Sequence, residues 1–217
     1  MMHKRAVLFD FDLTLADSTL GAVDCVNYAL EVMALPRAAP KAIRAAVGFS
    51  LPAMLTRLTG LTDPVLAQLF SLSFVERAEL RMAELTFVFP EVAPTLDRLK
   101  AADIKIGIVS TKFRYRIETI LARERLLDAF DIIVGGEDVR KHKPDPENLV
   151  KALGQLGVRA ADSLYIGDHP VDAEAAAAAQ IPFAAVLTGA AVRSDFEPWP
   201  ASLFLGSLRD LAPQRWL

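Results

Sequence analysis

The sequence predicts an α/β protein in which a doubly wound parallel sheet carries an inserted all-helical cap. From residue 88 onward, short apolar runs alternate with helical patterns, and this alternation is typical of a parallel sheet covered by helices on both faces. Residues 16–87 instead contain several amphipathic stretches and no convincing strand. We therefore predict that residues 1–15 and 88–217 form the sheet domain and that residues 16–87 form the cap.

Five short apolar runs predict the strands of the sheet. They are residues 5–9, 105–109, 131–134, 163–166 and 183–187. Each run stops at polar residues or glycine, as a buried strand does where it ends. Because ligands of such sheets bind outside the carboxyl ends of the strands, we expect Asp10, Asp12, Ser110 and Asp168 to line one pocket.

Helical patterns fill the intervals between the predicted strands and the whole of the predicted cap. They cover residues 92–100, 115–123, 146–156 and 170–179 in the sheet domain, and residues 20–33, 41–47, 52–58 and 63–81 in the cap. Proline and glycine separate the cap stretches, as in short helices joined by tight turns. The tail from Arg193 is rich in turn formers and aromatic residues, and we expect it to pack on the edge of the sheet.

Composition limits the class of protein and of partner. With 217 residues, 53% of them hydrophobic, and a net charge of −3, the chain has the composition of a soluble globular protein with room for a second domain. The slight acidic excess argues against nucleic acid as a partner. Its one cysteine, Cys25, excludes an internal disulfide, and we expect it to be a buried apolar residue.

The sequence also favours a cytoplasmic protein without membrane partners, either a monomer or a homodimer. The apolar run that follows the basic residues 1–5 is interrupted by Asp10 and Asp12 before an export signal could form. The alanine-rich stretch at residues 173–179 is too short to cross a bilayer.

The carboxylates Asp10 and Asp12 are the first candidates for chemistry. Such a pair is weak evidence alone, because aspartates that follow a strand often only cap the next loop. A hydroxyl at Ser110, an ammonium at Lys143 and a further carboxylate at Asp168 strengthen the case. Together these groups suit phosphoryl transfer, in which a carboxylate attacks a phosphate whose charge is offset by Mg²⁺ and by hydrogen-bond donors.

Four motifs at strand and helix ends resemble those of a known family. They are Asp10-Phe-Asp-Leu-Thr-Leu-Ala-Asp-Ser18, Val109-Ser-Thr-Lys112, Lys143-Pro-Asp-Pro146 and Gly167-Asp-His-Pro-Val-Asp172. In this order they resemble the haloacid dehalogenase (HAD) superfamily, in particular its phosphoglycolate-phosphatase-like branch with a helical cap of the C1 type. The resemblance covers essentially the whole chain. It implies a Rossmann-like core and a Mg²⁺-dependent phosphatase that hydrolyses a small phosphorylated metabolite.

The resemblance also implies catalytic roles. Asp10 would be the nucleophile that forms an aspartyl-phosphate. Asp12 would protonate the leaving oxygen and then deprotonate the hydrolytic water. Ser110 would hydrogen-bond a phosphoryl oxygen, and Lys143 would offset charge on the nucleophile and the phosphate. The residues expected to contact substrate in the core are Thr14, Thr111 and Lys112.

The metal ligands implied by the resemblance are the side chains of Asp10 and Asp168 and the backbone carbonyl of Asp12. Asp172, in the first turn of a helix that starts at Pro170, would steer Lys143 or a water on the metal. His169, next to Asp168, could touch the phosphate or a water on the metal, but we favour an outward position in which it supports the site together with Asp172. His3 and His142 are expected to face solvent.

One position departs from the family pattern, and three residues of the cap are candidates for substrate contact. The family usually has glycine where this chain has Leu13, which implies a different loop or tolerated backbone strain. Arg44, Gly48 and Phe49 lie where related caps reach toward the active site, and we expect them to contact substrate, although a solvated helix face suits Arg44 as well as an anion contact does. Arg114 is expected on a helix surface.

Several alternatives remain open at this point. Asp12 argues against dehalogenation, since resembling dehalogenases lack that aspartate. Phosphonate hydrolysis needs a cap lysine, and Lys41 is the only lysine of residues 16–87. Phosphosugar mutases share all four motifs, and residues 109–112 also look like the matching stretch of pyrophosphatases in this branch. A non-catalytic phospholigand-binding protein is the alternative of another class, supported mainly by Leu13.

Overall fold

The computed structural model describes residues 5–199 and 201–211. His3, predicted to face solvent, lies outside these ranges. Six parallel strands form the main sheet in the order β5-β4-β1-β6-β7-β8. Their bounds are Ala6–Phe9 for β1, Lys105–Val109 for β4, Ile132–Val134 for β5, Ser163–Gly167 for β6, Phe183–Val186 for β7 and Leu203–Leu205 for β8. The prediction of a doubly wound α/β fold is confirmed.

The register of the three central strands brings their carboxyl ends together. Strand β1 lies between β4 and β6, and Phe9 pairs with Ile108 on one side and with Ile166 on the other. The residues that follow these positions therefore emerge at one edge of the sheet, as parallel pairing requires. All four residues of β1 are buried, which is expected of a central strand covered on both faces.

Four helices cover the two faces of this sheet. Their bounds are Val92–Ala101 for α5, Arg114–Arg123 for α6, Glu147–Leu156 for α7 and Pro170–Ala178 for α8. Leu96 and Ile117, from α5 and α6, join one apolar cluster. Leu149 and Ala175, from α7 and α8, join another. The sheet thus separates two hydrophobic cores, and both fix the strand ends that carry the polar residues.

The inserted block is helical, as predicted, and has a core of its own. Its helices are Thr19–Val32 (α1), Pro40–Arg44 (α2), Leu51–Thr59 (α3) and Pro64–Arg81 (α4). Leu30, Leu55 and Phe70 are fully buried among them. Cys25 belongs to the same cluster, and burial raises the pKa of its thiol to about 12. It is therefore the inert apolar residue that the sequence predicts.

Three strands of the structure were not predicted. Ala16–Asp17 (β2) and Phe87–Val88 (β3) pair antiparallel where the chain enters and leaves the cap, so the block of residues 16–87 is not free of strand. Strand β8 lies beside β7 at the edge of the sheet, where the tail was expected to pack. Strands of two or three residues are too short to show the alternation of apolar and polar residues by which a strand is predicted from sequence.

No single helix within the described residues is long and apolar enough to cross a membrane. The helices α3 and α4 meet the length and composition requirement only as a pair, with a bend of 110° between them.

Candidate active site

Asp10 lies at the carboxyl end of β1, at the base of the candidate site. Its backbone N–H donates to the carbonyl of Ile166 on β6, at 2.8 Å, and only 2% of the residue is exposed. The chain then turns tightly, because the N–H groups of Thr14, Leu15 and Ala16 all donate to the carbonyl of Phe11. This turn brings the residues after β1 back over the strand end.

Leu13, where the family usually has glycine, takes a left-handed conformation in that turn. Its φ is +58°, which disfavours a residue with a side chain. The side chain is 1% exposed and packs in the apolar cluster of the cap, beside residues such as Val26. Burial of the leucine side chain therefore compensates for the strain.

Lys143 lies buried between two carboxylates. Its Nζ is 3.1 Å from Oδ1 of Asp10 and 2.5 Å from Oδ1 of Asp172, and the side chain of Lys143 is fully shielded from solvent. Asp172 is in the first turn of α8, which begins at Pro170, as the sequence predicts. Its second oxygen, Oδ2, accepts from the N–H of His169 at 3.1 Å.

Tyr165 is a member of this cluster that the sequence analysis missed. Its hydroxyl lies 3.2 Å from Nζ of Lys143 and 3.1 Å from Oδ1 of Asp172, and it also lies 3.1 Å from the carbonyl of Val109. The residue is fully buried in β6. The sequence does contain a signal for this residue, since Tyr165 stands in an otherwise apolar strand two residues before Gly167. A buried hydroxyl requires a hydrogen-bond partner, which points to a polar group beside the strand end.

A second carboxylate, Asp168, faces Asp10 across the strand ends. Asp10, Asp168 and Asp172 each contribute one carboxylate oxygen to a cluster, and these three oxygens lie within 4.8 Å of one another. The hydroxyl of Thr14 donates to Oδ1 of Asp168 at 3.1 Å. Thr14, predicted to contact substrate, is thus placed against a carboxylate that could hold a metal.

Burial and crowding raise the pKa values of these carboxylates. Burial is the main cause of raising the pKa of Asp10 to about 7, against the opposing effect of Lys143. Burial, together with Asp172 and Asp10, raises the pKa of Asp168 well above its usual range. Burial acts to lower the pKa of Lys143, but Asp10 and Asp172 outweigh it and raise that pKa. The ammonium of Lys143 therefore stays charged, whereas Asp10 and Asp168 hold their protons more tightly than exposed carboxyl groups do.

Asp12 and Lys112 form a separate ion pair above the cluster. Nζ of Lys112 lies 3.0 Å from Oδ1 of Asp12, and the two side chains are 6% and 12% exposed. Ser110 is buried at the end of β4, and its Oγ accepts from the N–H of Lys112 at 3.3 Å. The side chains of Asp10 and Asp12 thus each lie near a lysine ammonium.

Two glycines are required for the carboxylates to approach the backbone. A Cβ on Gly167 would lie 2.6 Å from Cγ of Asp172, and one on Gly189 would lie 2.8 Å from Cγ of Asp168. Both distances are shorter than van der Waals contact allows. Gly189 follows the fifth predicted strand, and the sequence analysis gave it no role.

The cap covers the site through a contact between Phe49 and His169. Their ring centroids are 4.6 Å apart in an edge-to-face arrangement, and the guanidinium of Arg57 lies 4.4 Å from the centroid of Phe49. Gly48 sits against the same histidine with a φ of +100°. The prediction that His169 points outward is wrong, because this ring fills the interface between cap and core.

Arg44 links the cap to the core on the same side. Its NH2 donates to the carbonyl of Thr188 at 2.7 Å, and its NH1 contacts Asp17 at 3.4 Å and the hydroxyl of Thr19. The hydroxyl of Thr188 in turn donates to the carbonyl of Leu13 at 2.5 Å. The guanidinium of Arg44 thus bridges cap and core in this structure, and its contact with an anionic substrate stays a prediction.

A second link joins α6 to α4 and to the end of the cap. The NH2 group of Arg116 lies 2.5 Å from Oε1 of Glu79, which the hydroxyl of Tyr115 also contacts. The guanidinium of Arg123 donates to the carbonyls of Ala83 and Thr86, both at 2.6 Å. Arg114, by contrast, pairs with acidic residues near the surface of the core, as expected.

Cap and core enclose a cavity of about 380 Å³. Asp12, Thr111 and Lys112 line its core end, and Gly48 and Phe49 are among the cap residues that line it. His142 also lines this cavity, and its buried Nδ1 has no hydrogen-bond partner in the part of the chain that the structure describes. The prediction that His142 faces solvent is therefore wrong.

The comparisons with known proteins agree with this arrangement. Residues 7–186 match the family model described as haloacid dehalogenase-like hydrolase. The chain belongs to this family. A phosphoglycolate phosphatase of Photorhabdus laumondii is 35% identical over 82% of this chain and 78% of its own. One of Xanthomonas campestris is 31% identical over 100% of this chain and 96% of its own.

The solved structures extend the likeness to the whole fold of this HAD-like hydrolase. A haloacid dehalogenase-like hydrolase of Bacteroides fragilis superposes with a TM-score of 0.93 at 40% identity, over 96% of this chain and 100% of that one. The family resemblance drawn from the four motifs is thereby confirmed, and so is a helical cap inserted after β1. The prediction of an enzyme of the HAD-like phosphatase type is confirmed by the family and by these relatives.

The described residues of this HAD-like hydrolase fit a Mg²⁺ ion at the carboxylate cluster. Oδ1 of Asp10 is buried with the ammonium of Lys143 3.1 Å away, and Asp168 offers a second carboxylate within reach. Hard oxygen ligands of this kind are those that Mg²⁺ prefers. Both oxygens of Asp172 are already occupied by Lys143 and by the N–H of His169, which favours Asp172 as a support for the site over a role as ligand.

Proposed function

We propose that this protein is a Mg²⁺-dependent phosphatase that hydrolyses the phosphate monoester of a small metabolite through an aspartyl-phosphate intermediate. The observation that carries the proposal is the buried set of Asp10, Lys143 and Asp168 at the strand ends, with Asp12 beside it at the mouth of the cavity. A nucleophile and an acid on opposite sides of one phosphorus atom are what a two-step displacement needs.

In the first step, a carboxylate oxygen of Asp10 attacks phosphorus and the bond from phosphorus to the leaving oxygen breaks. Asp12 transfers its proton to that oxygen, so the product leaves as a neutral alcohol. The ammonium of Lys143, 3.1 Å from Asp10, offsets the negative charge that gathers between nucleophile and phosphate. The hydroxyl of Ser110 donates a hydrogen bond to a phosphoryl oxygen.

In the second step, Asp12 removes a proton from water, and the water oxygen attacks the phosphorus of the aspartyl-phosphate. Inorganic phosphate leaves, and Asp10 and protonated Asp12 are restored. Lys112, 3.0 Å from Asp12, holds this carboxyl in place between the two steps. The cap keeps other water out, since Phe49 and His169 close one side of the site.

Mg²⁺ would be held by the side chains of Asp10 and Asp168 and by the backbone carbonyl of Asp12. When bound, it supplies positive charge that allows an anionic carboxylate to approach an anionic phosphate. Asp172 keeps Lys143 oriented through their 2.5 Å contact, and Thr14 keeps Asp168 oriented through its hydroxyl.

The test is phosphate release from p-nitrophenyl phosphate and from phosphoglycolate, the latter because two relatives bear that enzyme's name. We expect release with Mg²⁺, none with excess chelator, and a loss of at least a thousandfold in Asp10→Asn. Asp97→Asn, at an exposed position of α5, is the matched control and should keep full activity. An inert wild-type protein with Mg²⁺ present would favour the non-catalytic phospholigand-binding alternative.

A further inference from the structure

We propose, on the basis of the function proposed above, that the preferred substrate is a phosphate monoester with a largely apolar alcohol part, bulkier than a two-carbon acid. The cavity between cap and core carries this inference. Its position, its lining and its charges each point to the same class of leaving group.

The position of the cavity assigns it to the leaving group. Among the residues of the proposed mechanism, Asp12 lines it, whereas Asp10, Lys143 and Asp168 do not. Asp12 is the group that protonates the leaving oxygen in that mechanism. A substrate with its phosphorus at Asp10 and its leaving oxygen at Asp12 therefore extends its alcohol part into this cavity.

The lining of the cavity is mainly apolar. Side chains of Phe49, Met54, Phe74, Met82 and Phe113 contribute to its wall. Its volume of about 380 Å³ lies within the range of roughly 300–1,000 Å³ that is typical of pockets for whole small-molecule ligands. A two-carbon leaving group would leave most of this apolar surface without a contact.

Lys112 and Arg116, which line the cavity, each have an acidic partner. Lys112 lies 3.0 Å from Asp12. Arg116 lies 2.5 Å from Glu79, and its guanidinium carbon is 5.2 Å from the ring centroid of Phe113. A second anionic group on the substrate, such as the carboxylate of phosphoglycolate, would compete with Asp12 or Glu79 for these cations. That competition disfavours a substrate whose alcohol part carries a negative charge of its own.

Apart from Oδ1 of Asp12, which lies 3.0 Å from Nζ of Lys112, two buried polar atoms in the lining have no hydrogen-bond partner among the described residues. They are Nε of Arg116 and Nδ1 of His142. Arg116 Nε–H is a donor, and the imidazole nitrogen can donate or accept. These atoms suit a neutral oxygen or nitrogen on an otherwise apolar leaving group, since an unsatisfied buried polar atom gains most from such a bond.

The experiment compares kcat/KM for methyl, n-butyl and benzyl phosphate and for phosphoglycolate, with Mg²⁺ present. The alkyl and benzyl esters have leaving groups of similar basicity, so differences report binding of the alcohol part. Each buried methylene contributes up to about fourfold, and we expect n-butyl and benzyl phosphate to exceed both methyl phosphate and phosphoglycolate by at least tenfold.

A cavity-filling variant tests the location. Ser71 lies on α4 and lines the cavity, and Ser71→Phe should lower the ratio of kcat/KM for benzyl over methyl phosphate at least tenfold. Leu72→Phe, on the same helix but 61% exposed, is the matched control and should leave the ratio unchanged. Val75→Phe, also in the lining, replaces Ser71→Phe if that variant does not fold.

The outcomes separate this inference from the proposed function. Phosphoglycolate or methyl phosphate as the best substrate would overturn the inference while upholding a phosphatase. An unchanged ratio in the folded filling variant would overturn it as well. No phosphate release from any ester with Mg²⁺ would overturn both.

Discussion

Nζ of Lys143 lies 2.5 Å from Oδ1 of Asp172, and neither side chain has any exposed surface. A buried ion pair of this kind is costly to form and more costly to break, because removal of one partner leaves the other charge without compensation. Lys143 also faces Asp10, so one ammonium serves two carboxylates. The stability of the strand ends and the proposed chemistry therefore depend on the same side chain.

Replacement of this lysine should destabilise the fold in a pH-dependent way. In Lys143→Met, we expect the free energy of unfolding at pH 8 to fall by about 3 kcal/mol, the cost typical of breaking a buried pair. At pH 6 the loss should be smaller, because the carboxylates can take up protons. Urea unfolding at the two pH values measures both quantities, and an equal loss at pH 6 and pH 8 would contradict the account.

Mg²⁺ should bind the wild-type protein more tightly as the pH rises. Burial, partly offset by Lys143, raises the pKa of Asp10 to about 7, so the metal-free protein must release protons to expose its ligands. Titration calorimetry in two buffers should report proton release and an affinity that increases from pH 6 to pH 8. A pH-independent affinity would mean that these carboxylates are already ionised.

The raised pKa of Asp10 also makes the stability of the metal-free fold depend on pH. The folded-state pKa of Asp10 lies above its usual value of 3.8, so the native state holds a proton that the unfolded state has lost. The contribution of Asp10 to stability is therefore present at low pH and is lost as the pH rises from about 4 through about 7. Without metal, chemical unfolding of wild type should be easier at pH 8 than at pH 6, and Mg²⁺ should reverse this trend.

Leu13 offers a comparison between backbone strain and burial. Leu13→Gly relieves a left-handed conformation that costs about 1–2 kcal/mol, but it removes a buried side chain, a loss typically of about 2–5 kcal/mol for leucine. The burial term is the larger, so we expect a net destabilisation of about 1–3 kcal/mol. Thermal unfolding measures it.

Arg125 is the matched control for that substitution. It has the same φ of +58° but lies exposed after α6, so Arg125→Gly relieves strain without loss of burial. This variant should be as stable as wild type or slightly more stable. If Leu13→Gly were also more stable than wild type, the leucine would not anchor the cap.

Tyr165→Phe removes one hydroxyl from the lysine cluster. We expect kcat to fall about tenfold with KM little changed, because the hydroxyl contacts Lys143 and Asp172 and lies away from the cavity. The expected loss of stability is about 1–2 kcal/mol, as for a buried hydrogen-bonded group. Tyr28→Phe, whose hydroxyl makes an exposed contact with Glu76, is the control for both measurements. An unaltered kcat would assign Tyr165 to the fold alone.

The sequence could predict where the proposed catalytic residues lie because their positions follow from a simple rule. Asp10, Ser110 and Asp168 each follow an apolar run, so the sequence predicts them at one edge of a parallel sheet. The register of β1 with β4 and β6 brings these three residues to that edge. Asp172 follows from the helix that Pro170 begins. These signals are local, so pattern and spacing are sufficient to find them.

The contacts between cap and core could not be predicted in the same way. His169, His142 and Arg44 each have ordinary polar side chains, and their partners lie far away along the chain, such as Thr188 for Arg44 and Phe49 for His169. Tyr165 was missed because its neighbours in β6 give an apolar pattern that the hydroxyl does not interrupt. Tertiary packing, which local sequence does not encode, decides where these groups point.

The central claim is that Asp10 becomes phosphorylated during turnover. Wild-type enzyme is mixed with benzyl phosphate and Mg²⁺, quenched in acid within the first turnover, and treated with borohydride, which reduces an acyl phosphate to the alcohol. Mass spectrometry of the peptide that follows β1 should then find homoserine at position 10, dependent on substrate. Turnover without modification at this position, or with modification of another residue, would contradict the account.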